Sequence, residues 1–310
     1  MPMKTKLASF IVVTTIVFIW AGSFIFIRVG LKEIPPATLA LARFSVASPL
    51  LVGYTLFTRK GRNFGRVVWN RDLTLFTALA LTGVTLLYVL QFYSLEFITS
   101  TAGSILINLN VIFTTLLSVA FLKESMTKRK VIGVLLAFAG VVMLATDGKL
   151  TTGLDSFEPI GALLMVGAAF CWAAYSILSK NALDRFPASI ATSATFCLGT
   201  FYLVPFAAAE ASVRPLMNAS WLTWVSILYL AIPSSAIAYL LWNYMLERVE
   251  VTKLAVSLYA IPIPTAIFSY MFLGETITQS LVLGGALVIV GIYLTESSRN
   301  KGELNTASSG

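Results

Sequence analysis

The sequence predicts an all-α membrane protein of ten transmembrane helices, arranged as two inverted five-helix repeats with both termini cytoplasmic. Three observations carry that expectation. The 310 residues are 57% hydrophobic and 12% charged, with a mean hydropathy of +0.85, which leaves too little polar surface for a soluble globule of this length. Apolar runs of about 20 residues, the length a helix needs to cross about 30 Å of hydrocarbon, recur ten times along the chain. The chain also repeats itself: residues 120–140 and 271–291 align without a gap, so that Leu122, Glu124, Thr127, Gly133 and Gly140 fall on Leu273, Glu275, Thr278, Gly284 and Gly291.

Each expected helix is bounded by residues that punctuate it. Helix 1 (7–29) follows Lys4 and Lys6. Helix 2 (36–58) begins at Pro35 and Pro36, where a missing amide costs least, and ends at Arg59, Lys60 and Arg62. Helix 3 (73–95) lies between Arg71 and Glu96, and helix 4 (99–121) ends at Lys123. Helix 5 (128–146) opens with Lys128, Arg129 and Lys130. Helix 6 (159–179) starts at Pro159 and stops at Lys180, and helix 7 (188–209) follows Pro187. Helix 8 (221–245) opens with Trp221 and Trp224, aromatic residues suited to the headgroup level. Helix 9 (253–273) contains Pro262 and Pro264, and helix 10 (279–296) carries Gly284 and Gly291.

Charge sets the orientation. Of the 22 Lys and Arg, only Arg28, Lys32, Lys149 and Arg214 fall on outer segments and Arg43 within helix 2; the rest fall on the cytoplasmic side. Lys128, Arg129 and Lys130 of the first copy are answered by Gln279, Ser280 and Leu281, so the matching loops are expected on opposite faces. The first repeat is expected over 7–146, an acidic outer loop over 147–158, the second repeat over 159–296, and a disordered cytoplasmic tail over 297–310. Helix 1 is expected to act as an uncleaved anchor. Cys171 and Cys197 fall inside helices, with no disulfide expected.

The first halves of the copies match at an offset of 152 or 151: Trp20 with Trp172, Arg28 with Lys180, Phe44 with Phe196, Tyr88 with Tyr239 and Tyr93 with Tyr244. Inverted membrane repeats are the signature of alternating access about a site between them. Polar stripes at spacings of three and four must face protein or a cavity rather than lipid. They nominate Trp20 and Ser23 in helix 1, Tyr88 and Gln91 in helix 3, Trp172 and Tyr175 in helix 6, and Tyr239, Trp242 and Asn243 in helix 8. Asn108 in helix 4 and its equivalent Tyr259 in helix 9 complete the set, with Pro262 and Pro264 as a hinge. Ordinary helix packing is the competing reading for each. Arg43 is the one charge well inside a span, a placement that costs roughly 2.5 to 3.5 kcal/mol. It either contacts carbonyls or snorkels towards the outer surface, or serves as an anchor for a substrate carboxylate or a gating contact.

What is missing excludes other classes. The chain has no histidine, and its acids lie at helix ends or in loops, so an intramembrane hydrolase, a metal centre and a built-in sodium or proton carrier at mid-membrane are all disfavoured. No phosphate-binding Gly-x-x-x-x-Gly-Lys-Ser/Thr loop is present. No cofactor and no nucleic-acid partner are expected, because the net charge of +8 sits in topology-setting loops. A monomer is expected, with the glycine faces of helices 5 and 10 leaving a homodimer open.

The opening Trp20-Ala21-Gly22-Ser23, Pro36 followed by Ala42-Arg43-Phe44, and the Leu-x-Glu-x-x-Thr turn before a Gly-rich helix together resemble the EamA domain of the drug/metabolite transporter superfamily, in two copies. The resemblance implies a ten-helix exporter with a central cavity between inverted repeats. One position departs from it: Val111 stands in helix 4 where the family often has a proline, which Pro262 keeps in helix 9. The expected function is export of small amphipathic metabolites, neutral or aromatic amino acids foremost, across a prokaryotic cytoplasmic (inner) membrane without ATP hydrolysis. Other metabolites or drugs, or a channel, are the alternatives.

Overall fold

The computed structural model describes residues 3–57, 72–122, 127–145, 159–210, 214–247, 254 and 258–307, and every regular element among them is helical. The helices are α1 (Met3–Leu31), α2 (Pro36–Phe57), α3 (Leu73–Phe97), α4 (100–122), α5 (Lys128–Ala145), α6 (Pro159–Leu183), α7 (Ala188–Ala209), α8 (Trp221–Leu246), α9 (258–273) and α10 (Gln279–Ala307), with a single turn at Arg214–Met217 before α8. Six of these, α1, α2, α3, α6, α7 and α8, are long and apolar enough to cross a membrane. The apolar stretches of the other four are shorter: Ser100–Thr114, Val131–Gly140, Pro262–Leu273 and Gln279–Gly291. The expected outer loop at 147–158 lies outside the described residues. α10 runs on to Ala307. Cys171 and Cys197 are free.

The duplication is written into the contacts. In α5 and α10, a Cβ added at Gly140 would sit 2.6 Å from Gly284 O, and one at Gly291 would sit 2.5 Å from Gly133 O. Rising numbers in α5 therefore meet falling numbers in α10, and the two equivalent helices run antiparallel at backbone contact, which only glycine permits. α2 and α7 do the same: Ser48 Oγ lies 2.7 Å from Thr200 Oγ1, Thr55 Oγ1 lies 2.8 Å from Ser193 Oγ, and the rings of Phe44 and Phe196 are 5.0 Å apart. Two departures from regular α-helix in each copy recur at matching positions as well. A π-helical turn at Leu81–Thr85 in α3 is answered by Leu230–Ile237 in α8, and a 3-10 turn at Ile107–Leu109 in α4 by Leu258–Ala260 in α9. The turn in α4 forms without the proline, with Val111 in its place.

Helix ends are held by side chains from other helices, which is how the orphan amides and carbonyls of each end are satisfied. Glu210, just past α7, accepts from Ala37 N, Thr38 N and Thr38 Oγ1 at the start of α2 and from the Tyr93 hydroxyl, at 2.6 to 2.8 Å. Glu275 accepts from Ser100 N and Thr101 N at the start of α4, Glu247 from Ala188 N at the start of α7, and Glu33 from Ser220 N before α8. The Ser220 N–H holds the Glu33 carboxyl below the usual carboxylate range. At the opposite poles of two helices, Arg28 Nη1 donates to Leu95 O and Lys180 Nζ to Leu246 O, again at equivalent positions.

Candidate functional site

A cavity of about 60 Å³ opens where the two copies meet, walled by Trp20, Ser23 and Phe24 of α1, Leu87, Tyr88 and Gln91 of α3, and Trp172 of α6. The 3-10 turns supply the rest: Ile107 and Asn108, with Asn110 just beyond, from α4, and Leu258, with Ile261 just beyond, from α9. A 3-10 turn advances three residues per turn instead of 3.6 and so re-aims the side chains that follow. Here it brings Asn108 and Asn110 to the same wall. The cavity is largely apolar with amide and hydroxyl groups set into it, the usual make-up of a small-solute site.

Aromatic residues pack beside the cavity as a set of repeat-equivalent pairs. Trp20 and Trp172 meet edge to face with centroids 5.3 Å apart, and Tyr239 and Trp242 pack on both. Trp20 Nε1 donates to Ser234 O at 3.1 Å, and the Tyr239 hydroxyl donates to Gly83 O at 3.1 Å; both acceptors lie in the π-helical turns, at equivalent positions. Such turns free carbonyls from the regular ladder. The Tyr88 and Tyr239 hydroxyls are 2.8 Å apart. Since the single Tyr239 proton goes to Gly83, Tyr88 is the donor in that contact.

Arg43 lies behind Tyr88, off the cavity wall and 1% exposed. Its Nε donates to Ser235 Oγ at 2.6 Å, and its Nη2 to Ser234 Oγ at 3.1 Å and to the Tyr88 hydroxyl at 3.2 Å. The guanidinium carbon stands 4.2 Å from the Tyr88 ring centroid and 5.2 Å from that of Phe44, an arrangement in which ring faces offset part of the buried charge. Nη1 has no partner, and among the described residues no carboxylate faces the group. The equivalent position in the second copy is Thr195, so the charge stands on one side of the molecule only.

Of the residues nominated from sequence, the structure brings Trp20, Ser23, Tyr88, Gln91, Asn108 and Trp172 to the wall. Tyr239 and Trp242 form the aromatic layer behind it. Tyr175, whose ring packs on Trp172 and Tyr239, and Asn243 do not line the wall but form a buried knot joining α6, α7 and α8, where Asn243 Nδ2 donates to the Tyr175 hydroxyl and to Thr192 Oγ1 and its Oδ1 accepts from Ser179 Oγ. The side chain of Tyr259 lies outside what is described. Pro262 and Pro264 stand in the first turn of the helical segment Pro262–Phe268, where a missing amide loses no ladder bond. Spacing does not single out Leu87, Ile107, Asn110, Leu258 and Ile261, which also line the wall. Of these only Asn110, a polar residue in an apolar run, carried any signal.

Comparison with known proteins agrees with this architecture. Residues 7–146 and 159–297 each match the EamA-like transporter family. The chain is 38% identical over 284 residues to an uncharacterized transporter of Archaeoglobus fulgidus, covering 91% of this chain and 95% of the relative. It is 30% identical to a probable terminal-alkyne amino-acid exporter of Streptantibioticus cattleyicolor, covering 94% of each, and 25% identical to a probable amino-acid metabolite efflux pump of Salmonella typhimurium, covering 90% and 91%. A crystal structure with 20% identity superposes with a TM-score of 0.63 over 93% of this chain and 97% of the other, a likeness of fold. With two family matches that together span nearly its whole length, the chain belongs to the EamA-like transporter family and is an integral membrane transporter rather than an enzyme.

Proposed function

We propose that the protein is a secondary transporter that exports small amphipathic metabolites, neutral or aromatic amino acids foremost, by alternating access across the cytoplasmic membrane. The observation that carries this reading is the meeting of equivalent residues, Trp20 with Trp172 and Tyr88 with Tyr239, beside a cavity between copies whose equivalent helices run antiparallel. Two parts of equal construction and opposite direction have two arrangements of equal kind, each opening the shared site to one side. In this reading the chain crosses the membrane ten times, α4, α5, α9 and α10 included, with both termini cytoplasmic. The repeats are 7–146 and 159–296, joined by an outer loop.

An aromatic wall with neutral amides suits a solute that has an apolar body and a compact polar head. Two relatives described as exporters of amino-acid type lend the substrate class support. The test is uptake and counterflow in proteoliposomes with a panel of labelled amino acids, comparing the wild type with Trp172→Ala and Tyr239→Ala. Saturable, trans-stimulated flux that both substitutions reduce is expected. Flux without saturation or trans-stimulation indicates a channel instead, and normal flux in both variants removes the cavity as the site.

A further inference from the structure

Among the described residues that line the cavity, one fully buried polar atom is left by the protein without a partner. Asn108, on the 3-10 turn of α4, is 1% exposed, and its Nδ2 donates to Ser104 O at 3.1 Å, which fixes the orientation of the amide. Its Oδ1 accepts nothing. Buried acceptors are nearly always satisfied in native structures, so an orphan on a cavity wall points to a donor supplied by a ligand. Gln91 shares the wall, 7% exposed, and among the described residues its amide makes no hydrogen bond to protein.

Among the described residues no acidic side chain lines the cavity. A bare organic cation would therefore enter with its charge uncompensated, at high cost in an apolar enclosure. A zwitterion brings its own counter-charge. An orphan acceptor beside a free amide matches such a head group: the acceptor takes an ammonium N–H, and the amide nitrogen donates to the carboxylate.

We propose that Asn108 Oδ1 receives the ammonium group of a zwitterionic solute, with the Gln91 amide donating to its carboxylate, and so makes the transporter select free amino acids over analogues that lack either charge. The assignment rests on the reading of the cavity as the transport site. A wall built to hydrogen-bond a substrate N–H rejects an analogue without it because the buried acceptor is then left unpaired. Asn108 is thus a specificity-determining residue.

The experiment uses the full chain in proteoliposomes and reads inhibition of labelled phenylalanine counterflow by unlabelled phenylalanine, 3-phenylpropanoate and phenethylamine. In the wild type, phenylalanine is expected to inhibit at least tenfold better than either analogue, the size of one charge-assisted hydrogen bond. Asn108→Leu is expected to weaken phenylalanine tenfold while leaving 3-phenylpropanoate within twofold. Asn108→Asp supplies the missing counter-charge and is expected to improve phenethylamine at least tenfold, a gain that a merely misfolded variant does not produce. Equal weakening of all three ligands in Asn108→Leu, or no gain for phenethylamine in Asn108→Asp, overturns the assignment alone. Absence of phenylalanine counterflow in the wild type overturns the assignment together with the reading of the site.

Discussion

The hydroxyls of Tyr88 and Tyr239 lie 2.8 Å apart, and the two residues hold the same position in the two copies, 151 residues apart. The contact belongs to a chain that runs from the Arg43 guanidinium through Tyr88 and Tyr239 to Gly83 O, crossing from the first copy to the second and back. Its direction makes the two tyrosines unequal. Tyr239→Phe leaves the Gly83 carbonyl and the Tyr88 hydroxyl proton without partners, at about 1–3 kcal/mol for each buried group left unsatisfied. Tyr88→Phe orphans neither Tyr239, which keeps Gly83, nor Arg43 Nη2, which keeps Ser234. Thermal unfolding in detergent is expected to rank Tyr239→Phe clearly below Tyr88→Phe. Equal losses would mean that the chain is not ordered in this direction.

Arg43 is a buried cation that faces no carboxylate among the described residues, so it is not expected to contribute to stability. A hydrophobic side chain of similar volume in place of a buried charge is often neutral or stabilising. Arg43→Met is expected to unfold within about 1 kcal/mol of the wild type or above it, while counterflow falls because Tyr88 loses its anchor. Arg43→Lys is expected to be the less stable of the two, since one ammonium cannot reach Ser234, Ser235 and Tyr88 in the fork geometry the guanidinium uses. A Met variant destabilised well beyond that margin would assign Arg43 a packing role instead.

The antiparallel contact of α5 with α10 depends on glycines that have no room for a methyl group. Gly140→Ala and Gly291→Ala each push a Cβ to within about 2.6 Å of a backbone carbonyl, where neither helix can yield without separating. Each is expected to cost about 1–3 kcal/mol, the usual price of overpacking, and to do so to a similar extent because the two sites are equivalent. Gly53→Ala has nothing within 4 Å of the new methyl and serves as the control. Unfolding midpoints for the three variants test the prediction, and a tolerated alanine at 140 or 291 would contradict the close approach.

The Glu33 carboxylate is held below its ordinary pKa by the Ser220 amide, so its contribution is present above the unfolded carboxylate pKa of about 4.3 and is lost as pH falls through its lower folded value. The midpoint difference between the wild type and Glu33→Gln is therefore expected to be small but present at neutral pH, to begin to fall as pH drops below about 4.3, and to vanish below the lower folded pKa. A difference that does not change with pH would place the Glu33–Ser220 contact outside the account.

The sequence made the duplication legible because the pairs it matched are large and chemically distinct. Trp20 with Trp172, Tyr88 with Tyr239 and Gly140 with Gly291 are each identical residues at an offset of 152 or 151, and the contacts of the structure are built from them. The cavity wall was less legible, for two physical reasons. A stripe at spacings of three and four identifies a face without saying how far along it a cavity extends, so Tyr175 and Asn243 lie in a packing knot while Trp172 reaches the wall. Apolar lining residues such as Leu87 and Leu258 look no different from lipid-facing or core leucines. The 3-10 turn at Ile107–Leu109 rotates Asn110 out of the register that a straight helix predicts. Of the partners of Arg43, Tyr88 and Ser235 stand on the stripes of helices 3 and 8, whereas Ser234 lies in a π-helical turn, where side-chain spacing follows neither of the usual periods.

Lys128 and Gln279 open the equivalent helices α5 and α10, both with exposed side chains. Because those helices run antiparallel, the account places the two residues on opposite faces of the membrane. Single cysteines at 128 and 279, in a background with Cys171 and Cys197 replaced, are to be labelled with a membrane-impermeant maleimide in intact cells and in inverted vesicles. The account predicts that the residue at 128 reacts only from the cytoplasmic side and the residue at 279 only from the outer side; labelling of both from one side would contradict it.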